Sequence, residues 1–467
     1  MIDGLKPYAE YKESGQEWLG GVPAHWDLKP GHAAFAKRKE SNLGMKEKTV
    51  LSLSYGRIKV KATDKQHGLV PESYETYQVV NEGNVIIRGT DLQNDHTSLR
   101  IGLSRNRGII SSAYLCLEAQ PTITPDYGYQ ILNVFDLTKA IYRYGSGLRQ
   151  NLDHGEIKRL PIFLPPLDEQ AAIVRFLDNA NRKIDGFIRA KRKLIGLLNE
   201  QKQAIIHRAV TRGLHPDVPL KPSGIPWLGD IPKHWEVLAL KRVLRRLIDC
   251  EHKTAPAAEG SGLRVVRTTG IRHGRLQFHG TYGTTPEAFK QWTRRGLPEA
   301  GDVLFTREAP AGEACVMPEG ITLCMGQRTV LMKLRANRIN AHFLVHSIYG
   351  GPPRTAITLA SQGSTVGHFN MSDIGALTVF LPPHAEQVVI VEAIERDAEP
   401  LNTAIARTER EIALMQEYRT RLTSDIVTGK LDVREAAAHL PAPPTAAVTE
   451  ATADEPLEEI ETEEIEA

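Results

Sequence analysis

The chain has little of what catalytic or exported proteins rely on. Its 467 residues include only four cysteines (Cys116, Cys250, Cys315 and Cys324) and no CxxC pair. Such spacing suits neither a zinc cluster nor a disulfide framework and fits a reducing compartment, so the cytoplasm is the expected location. No apolar run approaches the roughly 18 residues of a membrane span. Residues 1–17 are polar and lack the apolar core of a secretory signal. The lone GK pair, Gly429–Lys430, lacks the upstream glycine and following hydroxyl of a phosphate-binding loop. There is no HExxH, no GxSxG and no [DNS]PP[YF] loop of the kind amino-methyltransferases use. One nuclease-like coincidence remains, Pro125–Asp126 followed by Glu156-Ile157-Lys158. The matching frame at Asp373-Ile374-Gly375 lacks the lysine, which argues against a metal-holding site. No catalytic residue and no metal ligand is therefore expected.

Basic residues are missing from the end of the chain. The stretch PAPPTAAVTEATADEPLEEIETEEIEA carries nine acidic residues and no Lys or Arg. Setting those nine aside leaves 58 basic against 47 acidic residues, so a net charge of +2 becomes a formal +11 for positions 1–440. A basic body favours a polyanionic partner, and the acidic tail has too little to bury to fold alone.

What the chain does have is a repeat. KESGQEWLGGVPAHW at 12–26 matches KPSGIPWLGDIPKHW at 221–235 at nine of fifteen positions, offset by 209. LPIFLPPLDEQAAIVRFLD at 160–178 then matches LTVFLPPHAEQVVIVEAIE at 377–395, and AVTRGL at 209–214 matches IVTGKL at 426–431, both offset by 217. The bodies between these frames diverge, and the second is eight residues longer. One architecture adapted twice to different ligands explains that pattern most simply.

Within the bodies, short runs such as TVLSLSYGRIKV, GNVIIRG, LRVVRTTGI, GDVLFTR and TVLMKL read as strands, while HFLVHSIYGG reads as a short helix. After each LPP the period changes. Ile173, Leu177, Ala180, Ile184, Phe187, Leu194, Leu198 and Ile205 follow a three-four spacing, with Lys191 and Gln201 in the gaps. This predicts a coiled-coil helix of about 44 residues, on the order of 65 Å long. The second copy keeps Ile390, Ile394, Leu401, Met415, Tyr418, Leu422 and Ile426, with a break or kink expected near Pro400 and a new start at Leu401. Two such stripes in one chain can bury each other as an antiparallel pair; ordinary core helices are the alternative.

Taken together, LPPLDEQAAIV, LPPHAEQVVIV, GDVLFTREAPAG at 301–312 and QGSTVGHFN at 362–370 resemble the specificity subunits of type I restriction enzymes. The resemblance runs through Val433 in both copies. It departs in copy one, where GSGLRQNLD at 145–153 keeps the glycine-serine turn and the following Leu but not the Thr or the second Gly.

The resemblance implies an α/β (α+β) chain with target recognition domains at 1–166 and 215–383. Helical spacers would occupy 167–214 and 384–432; composition, outside the shared pattern, assigns a disordered acidic tail to 433–467. It also implies a non-catalytic subunit reading a split, asymmetric DNA site. Two methyltransferase subunits and restriction subunits would be its partners. Those partners, not this chain, would use S-adenosylmethionine, ATP and Mg.

Groove readout and phosphate contact need Arg, Lys, Gln, Asn or Thr in loops. The candidates in copy one are Arg57, Lys59, Arg88, Arg105, Arg107, Arg149 and Gln150. Those in copy two are Arg267, Thr268, Arg272, Arg307, Gln327 and Arg328. For any one of them the plain alternative is a solvated surface charge. Trp18, Trp26, Trp227 and Trp235 recur beside Pro and Gly, which favours packing over base stacking, and the EQ pairs read as helix starts or docking points. Other functional readings are a coiled-coil protein-binding scaffold, an orphan DNA-binding subunit and a self-sufficient nuclease; the last requires cleavage with magnesium alone.

Overall fold

A computed structural model describes residues 5–61, 73–95, 97–145, 151–226, 228–362 and 369–441. The chain divides into two units: residues 1–190 with 411–467, and residues 191–410. Both divisions fall inside long helices, Leu167–Arg212 and His384–Val427. Each unit is thus made from parts of both repeats.

The repeat seen in the sequence is a repeat of topology. In the first unit an antiparallel sheet runs in the order Phe35–Arg38, Leu115–Ala119, Val85–Ile87, Ile101–Leu103. In the second unit the order is Leu244–Asp249, Thr329–Leu334, Val303–Thr306, Ala314–Val316, which is the same path. A smaller pairing also recurs, Asp27–Pro30 with Pro161–Leu164 and Glu236–Ala239 with Thr378–Leu381. The helix Pro125–Leu137, capped by Thr124, corresponds to Ala341–Gly350, capped by Asn340. Every strand run singled out in the sequence forms a strand, and HFLVHSIYGG is the second of these helices.

The units differ in what is added. The first carries a two-stranded ribbon, Leu51–Ser54 with Arg57–Val60. The second carries a three-stranded sheet centred on Arg264–Val266, a hairpin at 271–276 and a helix at Pro286–Trp292.

The frame motifs build one clamp in each unit. Glu169, 2% exposed, accepts hydrogen bonds from Trp26 Nε1 (2.9 Å) and Tyr8 Oη (2.6 Å) and contacts His25 Nε2 (2.8 Å). Glu386 repeats this with Trp235 Nε1 (3.0 Å) and His234 Nε2 (2.8 Å). Burial, with the neighbouring carboxylate, raises the Tyr8 pKa, so the phenol stays a donor. The adjacent glutamine ties the helix start to the cap of the short helix. Gln170 accepts from Thr124 N (2.9 Å) and donates to Thr122 O and Pro165 O. Gln387 does the same with Asn340 N (2.8 Å), Arg338 O and Pro382 O. These side chains are buried or inward-facing, so the EQ pairs are internal fasteners at helix starts rather than docking points.

Each clamp is closed by the far end of the other long helix. Gly429, with φ +77°, packs on Trp26 and Pro23; Gly213, with φ +73°, packs on Trp235. These two glycines are 216 apart, so the helix ends are matched one residue off the sequence alignment. In the first unit the start of one long helix therefore lies beside the end of the other. Arg419 pairs with Asp185 there, so the two segments run antiparallel. In the second unit, Gly213 beside Glu386 and Lys202 donating to Asn402 (2.9 Å) give the same sense.

Three expectations need correction. Leu194 is not on the seam but 39% exposed, because the 3.6-residue turn has carried the stripe round to half-buried Ile195 and Leu198. The second helix does not break at Pro400. Ile390, Ile394, Ala398 and Thr408 are buried on both sides of it, and that packing offsets the lost backbone bond. The tail does not start at 433: Val433 and Ala437 are buried, Arg434–Ala438 is helical, and Arg175 donates to Leu440 O. Residues 442–467 lie outside the described residues.

Glu169→Ala leaves two buried donors unpaired and should cost roughly 3 kcal/mol in chemical denaturation. Glu386→Ala should cost less, because that side chain is 27% exposed and water can replace it. Gly429→Ala should destabilise more than Gly213→Ala. Its Cβ would lie 2.3 Å from Pro23 Cδ, against 3.2 Å from Trp235 for the other.

Candidate nucleic-acid interface

In the first unit the ribbon lies along strand Ile101–Leu103. A Cβ on Gly102 would meet Leu53 and Ile58, so those two side chains point at the sheet. Strand alternation turns Arg57 and Lys59 to the opposite face, and both are exposed. Arg105 and Arg107 sit in the turn that follows the same strand. Arg105 pairs with Asp126 (2.5 Å); Arg107 donates to Asn81 Oδ1 (2.8 Å) and faces Glu47 (3.4 Å). Burial raises the Tyr129 pKa, and the charges of Arg57 and Arg105 oppose that rise.

Arg88 is at the other end of the sheet, paired with Asp95 (3.1 Å). Its loop is held by Arg100, a buried arginine donating to the carbonyls of Arg88, Thr90, Asp91 and Asp95. Composition gave no sign of that role. Arg149 and Gln150 lie outside the described residues.

In the second unit most candidates meet. Gly326 N donates to Val266 O (2.9 Å), which brings the Gln327–Arg328 loop beside Arg267 and Thr268. Arg272 Nη1 donates to Thr268 O (2.9 Å). Arg267 lies 4.6 Å over the Tyr282 ring. Arg328 pairs with Glu308 (3.1 Å), and Gln327 donates to His252 O (3.3 Å).

Arg307 is different. It is buried and bound by both oxygens of Asp249 (2.8 and 3.1 Å), while its backbone holds Arg328 and Phe369. Its position braces the loop rather than offering the guanidinium outward. Arg264, not among the sequence candidates, lies 5.8 Å from the exposed Phe278 ring and donates to Thr281 Oγ1 (2.6 Å).

The remaining motifs resolve as structure. Glu156 is the N3 residue of a capping box with Asp153, and Asp373 plays the same part with Asn370, which accounts for the ExK coincidence. Trp26 and Trp235 are buried, Trp18 packs edge-on against Phe135 (5.0 Å), and Trp227 lies outside the described residues. Asp249, Cys250 and His252 are close enough to share an ion, but the Arg307 guanidinium already occupies the carboxylate. Among the described residues no helix is long and apolar enough to cross a membrane.

No model of a known protein family matches the chain. It is 21% identical over 453 residues to the putative type I restriction enzyme MjaX specificity subunit of Methanocaldococcus jannaschii, covering 93% of this chain and 100% of that one. It is 22% identical over 365 residues to the type I restriction enzyme MjaVIII specificity subunit of the same organism, covering 76% and 81%. It also shares a fold, at TM-score 0.57 and 16% identity over 88% of this chain and 99% of the other, with a chain from a structure described as underlying complex assembly and conformational transition of the type I R-M system.

The loop behind Arg88 should respond to acid. Burial alone would raise the Asp95 pKa, but the amides of Ser98 and Thr97 and the charge of Arg100 bring it down to about 2. Its stabilising contribution is present above the unfolded value of about 3.9 and is lost as pH falls through the folded value. Asp95→Asn should therefore lower the denaturation midpoint at neutral pH, with the deficit closing near pH 2.

Proposed function

We infer that this chain, which belongs with the specificity subunits of type I restriction enzymes, selects the DNA site on which partner subunits act. The observation that carries the reading is the pair of units with one sheet path and one clamp but unlike additions. Each unit brings polar and cationic side chains to a loop surface: Arg57 and Lys59 on the added ribbon with Arg105 and Arg107 in a turn of the shared sheet in one, Arg267, Thr268, Arg272, Gln327 and Arg328 in the other. Phosphate contact fixes register and base-edge contact supplies sequence, and such loops carry side chains for both. Two different surfaces on one frame suit a target with two unlike halves.

The chain itself is non-catalytic. Adenine-N6 methylation would belong to two methyltransferase subunits using S-adenosylmethionine. ATP- and Mg-dependent restriction would belong to further subunits, in the cytoplasm where host DNA lies. Arg307 is better assigned to loop support than to DNA contact.

Replacing the first recognition body with that of a relative, then mapping methylated adenines across the host genome, tests the reading. One half of the split motif should change while the other half stays; an unaltered motif would overturn it. The purified complex should also lose affinity for its duplex steeply as salt rises, because bound cations displace condensed counterions.

A further inference from the structure

The ribbon of the first unit carries a residue that its turn does not want. The register pairs Ser54 with Arg57, leaving Tyr55 and Gly56 as a two-residue loop. Both have positive φ, +48° and +74°. A loop of this kind favours Asn-Gly or Asp-Gly, since a bulky side chain at the first position is crowded by its own backbone. Gly56 is explained locally: a Cβ there would lie 3.1 Å from Leu99 Cβ. Tyr55 is not. Its ring is 61% exposed, and it makes no hydrogen bond or ring contact with a described residue.

The surroundings say what the ring faces. Leu53 and Ile58 press on Gly102 and hold the ribbon to the sheet. The alternate positions Ser52, Ser54, Arg57 and Lys59 form the other face, two hydroxyls across from two cations, with Tyr55 at the tip. Among the described residues neither Arg57 nor Lys59 has an ion-pair partner. Apolar interaction with a protein would leave those cations to be desolvated. A duplex neutralises them with phosphate, and its major groove admits a two-stranded ribbon.

We propose that the ribbon enters the groove of the DNA target tip-first, with Tyr55 contacting a base and Arg57 and Lys59 holding the flanking phosphates. The proposal rests on the DNA-selecting function inferred above and adds the contact element and its aromatic tip.

Tyr55→Asn separates the two roles a tip residue can have. Asparagine suits the turn, so the thermal midpoint of the full chain should hold or rise. Affinity of the methyltransferase complex for a duplex carrying the methylome-derived motif should fall about tenfold, the scale of one lost aromatic–base contact. Tyr55→Phe should retain binding. Arg57→Gln and Lys59→Gln should each lower the slope of log affinity against log salt by about one, while Tyr55→Asn leaves that slope alone.

Unchanged affinity for Tyr55→Asn, with the wild-type complex still choosing its motif, overturns the proposal and leaves the functional reading standing. A salt slope untouched by both cation variants also overturns it and points to a protein occupant of this face. A wild-type complex with no sequence preference overturns the functional reading and the proposal with it.

Discussion

Everything in this fold depends on a carboxylate at the start of each long helix, buried in the first unit and partly buried in the second. An acidic side chain there is favoured by the helix dipole, but burial makes it expensive unless donors surround it. Trp26, Tyr8 and His25 supply them for Glu169, and Trp235 and His234 for Glu386. The requirement is reciprocal: an indole N–H deep in a core needs an acceptor as much as the carboxylate needs a donor. That explains why motifs some 150 residues apart in sequence, the HW of one frame and the EQ of the next, recur together. The glutamine beside each glutamate extends the tie to the cap of a short helix, so a sheet, a short helix and a long helix meet at one buried point.

A frame secured in this way can tolerate change elsewhere. The shared sheets use the same strand order, yet a ribbon lies over one and a separate three-stranded sheet accompanies the other. The added parts pack through a few contacts, such as Leu53 and Ile58 on Gly102. Their outer faces are consequently free to differ, as expected where binding specificity is set by loops on a rigid support. Ion pairs of buried arginines do the bracing in the shared frame: Arg100 around the Asp95 loop and Arg307 on Asp249 each fix a segment whose exposed neighbours can then reach outward.

Much of this was legible in the residues. The repeat announced two like units, strand runs were readable from β-branched content, and a helix after each LPP followed from period and proline. Reading failed where three dimensions override local signals. Leu194 obeys a 3.5 period, but a helix turning at 3.6 carries it off the stripe. Proline breaks helices in isolation, yet here the helix continues through Pro400 between buried neighbours on both sides. Val433 begins a stretch whose acid and alanine suggest a tail, but its side chain fills a core made by residues far away in sequence. Arg307 looked like its exposed neighbours because nothing local reveals that Asp249 faces it. The positive φ of Tyr55 is likewise invisible until strand register defines the loop.

The first unit is assembled from both ends of the chain: Lys6 bridges to Asp432, and Tyr11 donates to the carbonyl of Gly429. On a ribosome, residues 5–190 precede the second long helix and must wait for it before Trp26 is covered. Residues 191–410 have all their parts in hand earlier. The unit containing Trp26 thus has its full set of parts only after residues 191–410 have theirs.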